Sequence, residues 1–108
     1  MEYPRDLIAE FLQRNITGDL YEVPGIDQQI AIAIYHNAQF DSTFNLIGKY
    51  LSGVDNGPIT PYRKFYNWLV EINIPHNNAQ LIARSIAEKV ATMMPGLYDP
   101  AQEAQENN

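Results

Sequence analysis

Cysteine is absent from this 108-residue chain, which excludes disulfides, thiolate metal sites and a cysteine nucleophile. That absence is compatible with a reducing intracellular compartment. Basic residues are scarce, 7 Lys and Arg against 13 Asp and Glu, for a formal net charge of −6. Affinity for DNA scales with the phosphates that Lys and Arg neutralise, so the balance argues against a broad basic binding face. Only a small local patch, helped by backbone N–H groups, remains open to a nucleic acid. Three of the acids, Asp99, Glu103 and Glu106, fall in the last ten residues, and the rest of the chain is still mildly acidic.

Long apolar runs are also missing. None approaches the roughly 20 residues of a membrane-spanning helix. The start MEYPRDLIAE has neither the basic nor the apolar segment of a secretory leader. The chain is therefore expected to be intracellular, without membrane insertion, and the sequon Asn15-Ile16-Thr17 to go unused. Histidines number two, His36 and His76, and neither has metal-ligand spacing. Carboxylates are scattered singly, with no Asp-x-Asp or Glu-x-x-His cluster. These gaps argue against an enzyme, a metal site and a cofactor.

What is present is a globular composition, 45% hydrophobic, with seven prolines outside the helical runs. Residues 1–98 are read as one helical domain with a real core, and 99–108 as a mobile acidic tail. Pro4 opens an amphipathic helix carrying Leu7, Ile8, Phe11 and Leu12, ending near Asn15. Ile16 to Val23 reads as a short helical turn with Thr17 as its cap. The stretch Val23 to Leu51 is taken as the one around which the chain is organised. Within it Gly25 permits a tight turn and Asp27 caps the helix from Gln28 to Tyr35.

That helix contains IAIAI, whose alternation also suits a strand, but the flanking cap, glutamines and alanines favour helix. It is apolar nearly all round, so it should be covered on more than one side. Asp41-Ser42 caps the next helix, through Ser52, with Phe44, Ile47 and Leu51 on one face. Thr60-Pro61 starts another, with Tyr62, Phe65, Tyr66, Leu69 and Val70 inside, ending near Glu71. After Pro75, Asn77 or Asn78 caps a last long helix with Leu81, Ile82, Ile86, Val90 and Met93, stopped by Pro95-Gly96. The expected fold is all-α, a compact bundle of five to six short helices containing a helix-hairpin-helix.

Four pieces of the chain occur in a familiar order: Arg5-Asp6-Leu7-Ile8-Ala9-Glu10, the Gly25-Ile26 turn, Phe40-Asp41 with Leu46-Ile47-Gly48-Lys49-Tyr50-Leu51, and Phe65 with Trp68-Leu69. In this the chain resembles the barrier-to-autointegration factor family, small dimeric chromatin proteins that bridge DNA, over most of residues 4–94. The resemblance implies a homodimer that binds double-stranded DNA without sequence preference, in the nucleus, and organises chromatin or a genome. A cellular and a viral source stay equally open.

By that resemblance, DNA phosphates meet the hairpin residues Gly25, Ile26, Asp27, Gln28 and Gln29, with Arg5, Asn77 and Asn78 assisting. Ile30, Ile32, Ala33 and Tyr35 are assigned to the dimer interface. This chain departs from the family at Asp27, where the family has a second glycine, and at Ile32 and Ala33, where it has lysines. A carboxylate at Asp27 repels phosphate. Hence a second class stays open, an adaptor or structural component that keeps the fold and has lost DNA binding. The adjacent pair Arg63-Lys64 could touch a phosphate but also suits a solvated helix face. Phe65 and Trp68 are read as core anchors against the Phe44–Leu51 helix rather than a stacking platform.

Overall fold

Caps written into the sequence divide the chain, and in the computed structural model they sit where the helices begin. Residues 3–95 are described, with side chains from Leu7 onward; the expected tail 99–108 lies outside them. The helices are α1 (Tyr3–Gln13), α2 (Gln28–Ala38), α3 (Thr43–Leu51), α4 (Pro61–Glu71) and α5 (His76–Met93), with a 3-10 turn at Leu20–Glu22. No strand occurs among the described residues, so the all-α expectation holds and IAIAI is helical.

Local chemistry explains the boundaries. Asp27, Ser42 and Thr60 each accept a hydrogen bond from the backbone N–H three residues on, and Asn45 completes a capping box with Ser42. Pro61 then supplies the first residue of α4, where its missing N–H has no consequence. Two expected caps are corrected. Asp19, not Thr17, caps the 3-10 turn, because the Thr17 hydroxyl is bound to Glu22. Neither Asn77 nor Asn78 caps α5, whose N-cap is Pro75 with no side-chain bond.

The buried axis of the bundle is α5, against which α1, α3 and α4 all pack. This corrects the organising role given to Val23–Leu51. Ile82, Ile86 and Val90 fill the core, while buried Ala79, Ala83 and Ala87 let the neighbouring helices come close. α2, by contrast, buries Ile30, Ala31 and Ile34 and leaves Ile32 49% and Tyr35 51% exposed. In α3 the inner face is Thr43, Leu46 and Tyr50, whereas Phe44, expected inside, is 57% exposed. Phe44 instead covers Gly18, where an added Cβ would lie 2.9 Å from its ring. Phe65 and Trp68 do pack toward α3: Phe65 meets Tyr50 edge-on at 5.8 Å, and the Lys49 ammonium lies 5.1 Å from the Trp68 ring centre.

Two polar tethers hold elements far apart in sequence. Buried Lys89 on α5 donates to the carbonyls of Phe11, Leu12 and Arg14, closing the C-terminal end of α1. Glu22 accepts from Thr17, from the Gly18 N–H and from the hydroxyl of fully buried Thr43, whose one proton is shared with the Asp19 carbonyl. Burial of Glu22 pushes its carboxyl up, but the bonds from Thr43, Thr17 and Gly18 together outweigh this and hold it below its ordinary range.

Candidate nucleic-acid interface

Between the 3-10 turn and α2 the chain reverses over Val23 to Ile26, closed by a bond from the Ile26 N–H to the Val23 carbonyl at 3.1 Å. Gly25 there has φ +97°, and a Cβ on it would come within 3.0 Å of Ile82 and 3.2 Å of the Asn78 carbonyl. Glycine is needed twice over, for the left-handed backbone and for the close approach to α5. The Asn78 side-chain amide donates to the Gly25 carbonyl at 2.9 Å and fixes that approach.

The bond ties the first turn of α5 to the hairpin that precedes α2. Four N–H groups at each helix start lack intrahelical partners. On α2 the Asp27 carboxylate takes the Ile30 N–H at 2.9 Å, which leaves those of Asp27, Gln28 and Gln29, all exposed residues. α5 is 18 residues long, has no side-chain cap, and begins with exposed His76 and Asn77. Unsatisfied donors and the positive end of the helix dipole suit an anion.

A cation stands near the same end. The Tyr66 hydroxyl is 2.7 Å from His76 Nδ1, and the half-buried Arg63 guanidinium lies 5.5 Å from the Tyr66 ring centre. Arg63, Tyr66 and His76 thus form a chain of contacts from α4 to the first residue of α5. In the sequence the Arg63-Lys64 pair suits a phosphate contact or a solvated helix face, and His76 has no metal-ligand spacing. The Tyr66–His76 spacing of ten residues across a Pro-containing link was the only signal available.

The expected site residues divide cleanly. Asn78 is bonded to Gly25 although 53 residues separate them, while Asp27, Gln28 and Gln29 open α2 just after that hairpin and Asn77 precedes Asn78 in the first turn of α5. Ile26 does not present itself to a ligand: its side chain is buried and its N–H is spent on Val23. The Arg5 side chain lies outside the described residues. Of the expected interface residues, Ile30 is 6% exposed and belongs to the chain's own core, so the outer face of α2 reduces to Ile32, Ala33 and Tyr35. Beside that face is a groove of about 330 Å³, lined among others by Leu20, Tyr21, Ala31 and Phe40 and by Asp19 and Asp41.

No group of His, Cys, Asp or Glu able to hold a metal occurs among the described residues, and none of their helices is long and apolar enough to cross a membrane. In comparisons with known proteins, no family model, no curated sequence and no solved structure matches the chain.

Proposed function

We propose that this protein binds the phosphate backbone of double-stranded DNA, without sequence preference, at the paired starts of α2 and α5. The observation that carries the reading is the Asn78–Gly25 bond, which sets a glycine hairpin beside an uncapped helix start. Phosphate oxygens would accept from the N–H groups of Gln28, Gln29, His76 and Asn77, with Arg63 as the nearby cation. The resemblance to the barrier-to-autointegration factor family supports the same end of the molecule. It also supplies the setting, a homodimer that bridges or compacts DNA in the nucleus.

Asp27 opposes binding. Its carboxylate caps α2 and stands where a phosphate would approach. The test is a titration of duplex DNA at two salt concentrations with the parent chain and Asp27→Asn, which keeps the cap while removing the charge. Binding should be several-fold tighter for the variant. Few cations take part, so the slope against salt should be shallow, on the order of one or two phosphates neutralised. Absence of binding by both proteins at low salt would discard DNA as the partner.

A second reading has its own observation. The groove beside Ile32 and Tyr35 is apolar and open, as in a protein that docks another protein. If DNA binding fails, an adaptor with the same fold is the reading that this groove supports.

A further inference from the structure

Asn56 is the one asparagine of the chain that is followed by glycine, in the run Val54-Asp55-Asn56-Gly57-Pro58-Ile59 between α3 and α4. Every residue of that run is exposed, and residues 55–59 make no backbone–backbone hydrogen bond. Side chains alone hold it: Asp55 accepts the Gly57 N–H at 2.8 Å, and Lys64 binds Asp55. Both bonds lie at the surface, where water replaces them at little cost. The other described asparagines stand differently. Asn37 and Asn78 donate their side-chain amides to the carbonyls of Ile72 and Gly25, and Asn45 is engaged in the capping box of α3. Asn67 and Asn77 have helical backbone, which keeps the carboxamide carbon from the next nitrogen. Asn15 and Asn73 precede isoleucines, whose branched side chains crowd that nitrogen.

We propose that Asn56 is a site of spontaneous covalent modification, deamidated through a cyclic imide with the Gly57 nitrogen as nucleophile. That nitrogen attacks Asn56 Cγ and gives up its proton to solvent base as the new C–N bond forms. The side-chain nitrogen takes up a proton and leaves as ammonia, which closes a succinimide. Water then opens the ring at Cγ, restoring the ordinary peptide as aspartate, or at the main-chain carbonyl, leaving the chain linked through the side chain as isoaspartate. Glycine makes the first step accessible, because without a Cβ the nitrogen is uncrowded and the backbone can turn toward the carboxamide. Either product adds one negative charge beside Asp55 and Lys64. None of residues 54–59 belongs to the core, so the change alters the surface between α3 and α4 and not the packing. The site is separate from the hairpin, and the inference holds whether or not the protein binds DNA.

The test is incubation of the folded protein at neutral pH and physiological temperature, sampled over time and read by peptide mass spectrometry, with isoaspartate marked by isoaspartyl methyltransferase. Conversion should occur at Asn56 ahead of every other described asparagine and should yield isoaspartate together with aspartate. Its rate should lie within about threefold of that in the free peptide Gly-Val-Asp-Asn-Gly-Pro-Ile-Thr, because no backbone bond of the run has to open first. Raising the pH should quicken it, since the nucleophile is the deprotonated nitrogen. Gly57→Ala should slow it by about tenfold or more. The added methyl meets only the exposed Asp55 carboxylate, at 3.1 Å, so that variant keeps the fold, as circular dichroism would verify. An Asn56 that stays intact while the free peptide converts would overturn the proposal. Equal conversion in Gly57→Ala, or earlier conversion at another described asparagine, would overturn it as well.

Discussion

Asn78 donates its side-chain amide to the carbonyl of Gly25 at 2.9 Å, and this bond joins the first turn of α5 to the hairpin before α2. Neither residue is long enough to reach unless the backbones nearly touch. They do, because Gly25 has no Cβ and Ile82 and Leu81 pack directly against it. One glycine therefore serves the core and the candidate phosphate site together. A fault at Gly25 should show in stability before it shows in binding.

Gly25→Ala is accordingly expected to destabilise the protein by about 2–4 kcal/mol, combining left-handed strain of roughly 1–2 kcal/mol with displacement of a packed neighbour. Equilibrium urea unfolding followed by circular dichroism measures it. Gly48→Ala is the control: nothing lies within 4 Å of the position, it is helical, and the change should be neutral or slightly stabilising. Equal effects of the two substitutions would remove the close approach as the reason for glycine at position 25.

Lys89→Met should be costly although it replaces a charge by an apolar side chain of similar length. The ammonium satisfies three carbonyls where α1 ends, and methionine leaves them enclosed without a donor. The expected loss is about 2–3 kcal/mol. Lys89→Arg should recover only part of it, since a planar fork does not fit the same point. Hydrogen exchange of α1 amides reads out the specific effect: in Lys89→Met, α1 should open well before α4 and α5.

These cases mark what the residues disclose on first reading. The caps at Asp27, Ser42 and Thr60 were legible because a cap is a local bond, complete within four residues. The central place of α5 was not, because its inner face is built from Ala79, Ala83, Ala87, Ser85 and Lys89, which read as ordinary helix formers or surface. On α3, Ile47 and Leu51 pack against the core as their spacing indicates, and only Phe44 departs, for a related reason. Thr43 is interior only because Glu22, 21 residues earlier, accepts its hydroxyl, and that freed Phe44 to lie outside over Gly18. In the candidate site the hairpin was legible, whereas the Arg63–Tyr66–His76 chain depended on how α4 returns into α5.

Stability should fall with acid through Glu22. Its carboxyl is held below the ordinary value in the folded chain, so folded molecules bind that proton less readily than unfolded ones. The stabilisation is fully present above the unfolded glutamate range near 4.5 and is lost as pH drops through the lower folded value. Thr43→Val removes the single hydroxyl proton that Glu22 and the Asp19 carbonyl share and should cost about 1–3 kcal/mol at neutral pH. Thr43→Val and Glu22→Gln should both flatten the acid limb of a stability-against-pH curve. An unchanged acid limb in both variants would remove Glu22 as its source.

Self-association is expected through the outer face of α2, where Ile32 and Tyr35 stand half exposed beside the groove next to Tyr21 and Phe40. A two-fold pairing sets this patch against its own copy, with protruding side chains of one protomer available to the groove of the other. It also brings the groove acids Asp19 and Asp41 of both copies together, so like charges oppose the contact. Raising salt screens that repulsion and strengthens apolar association. Pairing should therefore tighten with salt, whereas phosphate binding at the hairpin weakens with it. Sedimentation equilibrium at low and at raised salt measures the first, and Tyr35→Asp should abolish pairing without disturbing the fold because its side chain is not part of the core. A chain that stays at 12.3 kDa at micromolar concentration under both conditions would leave the face to another partner. Pairing that persists in Tyr35→Asp would put the interface elsewhere on the molecule.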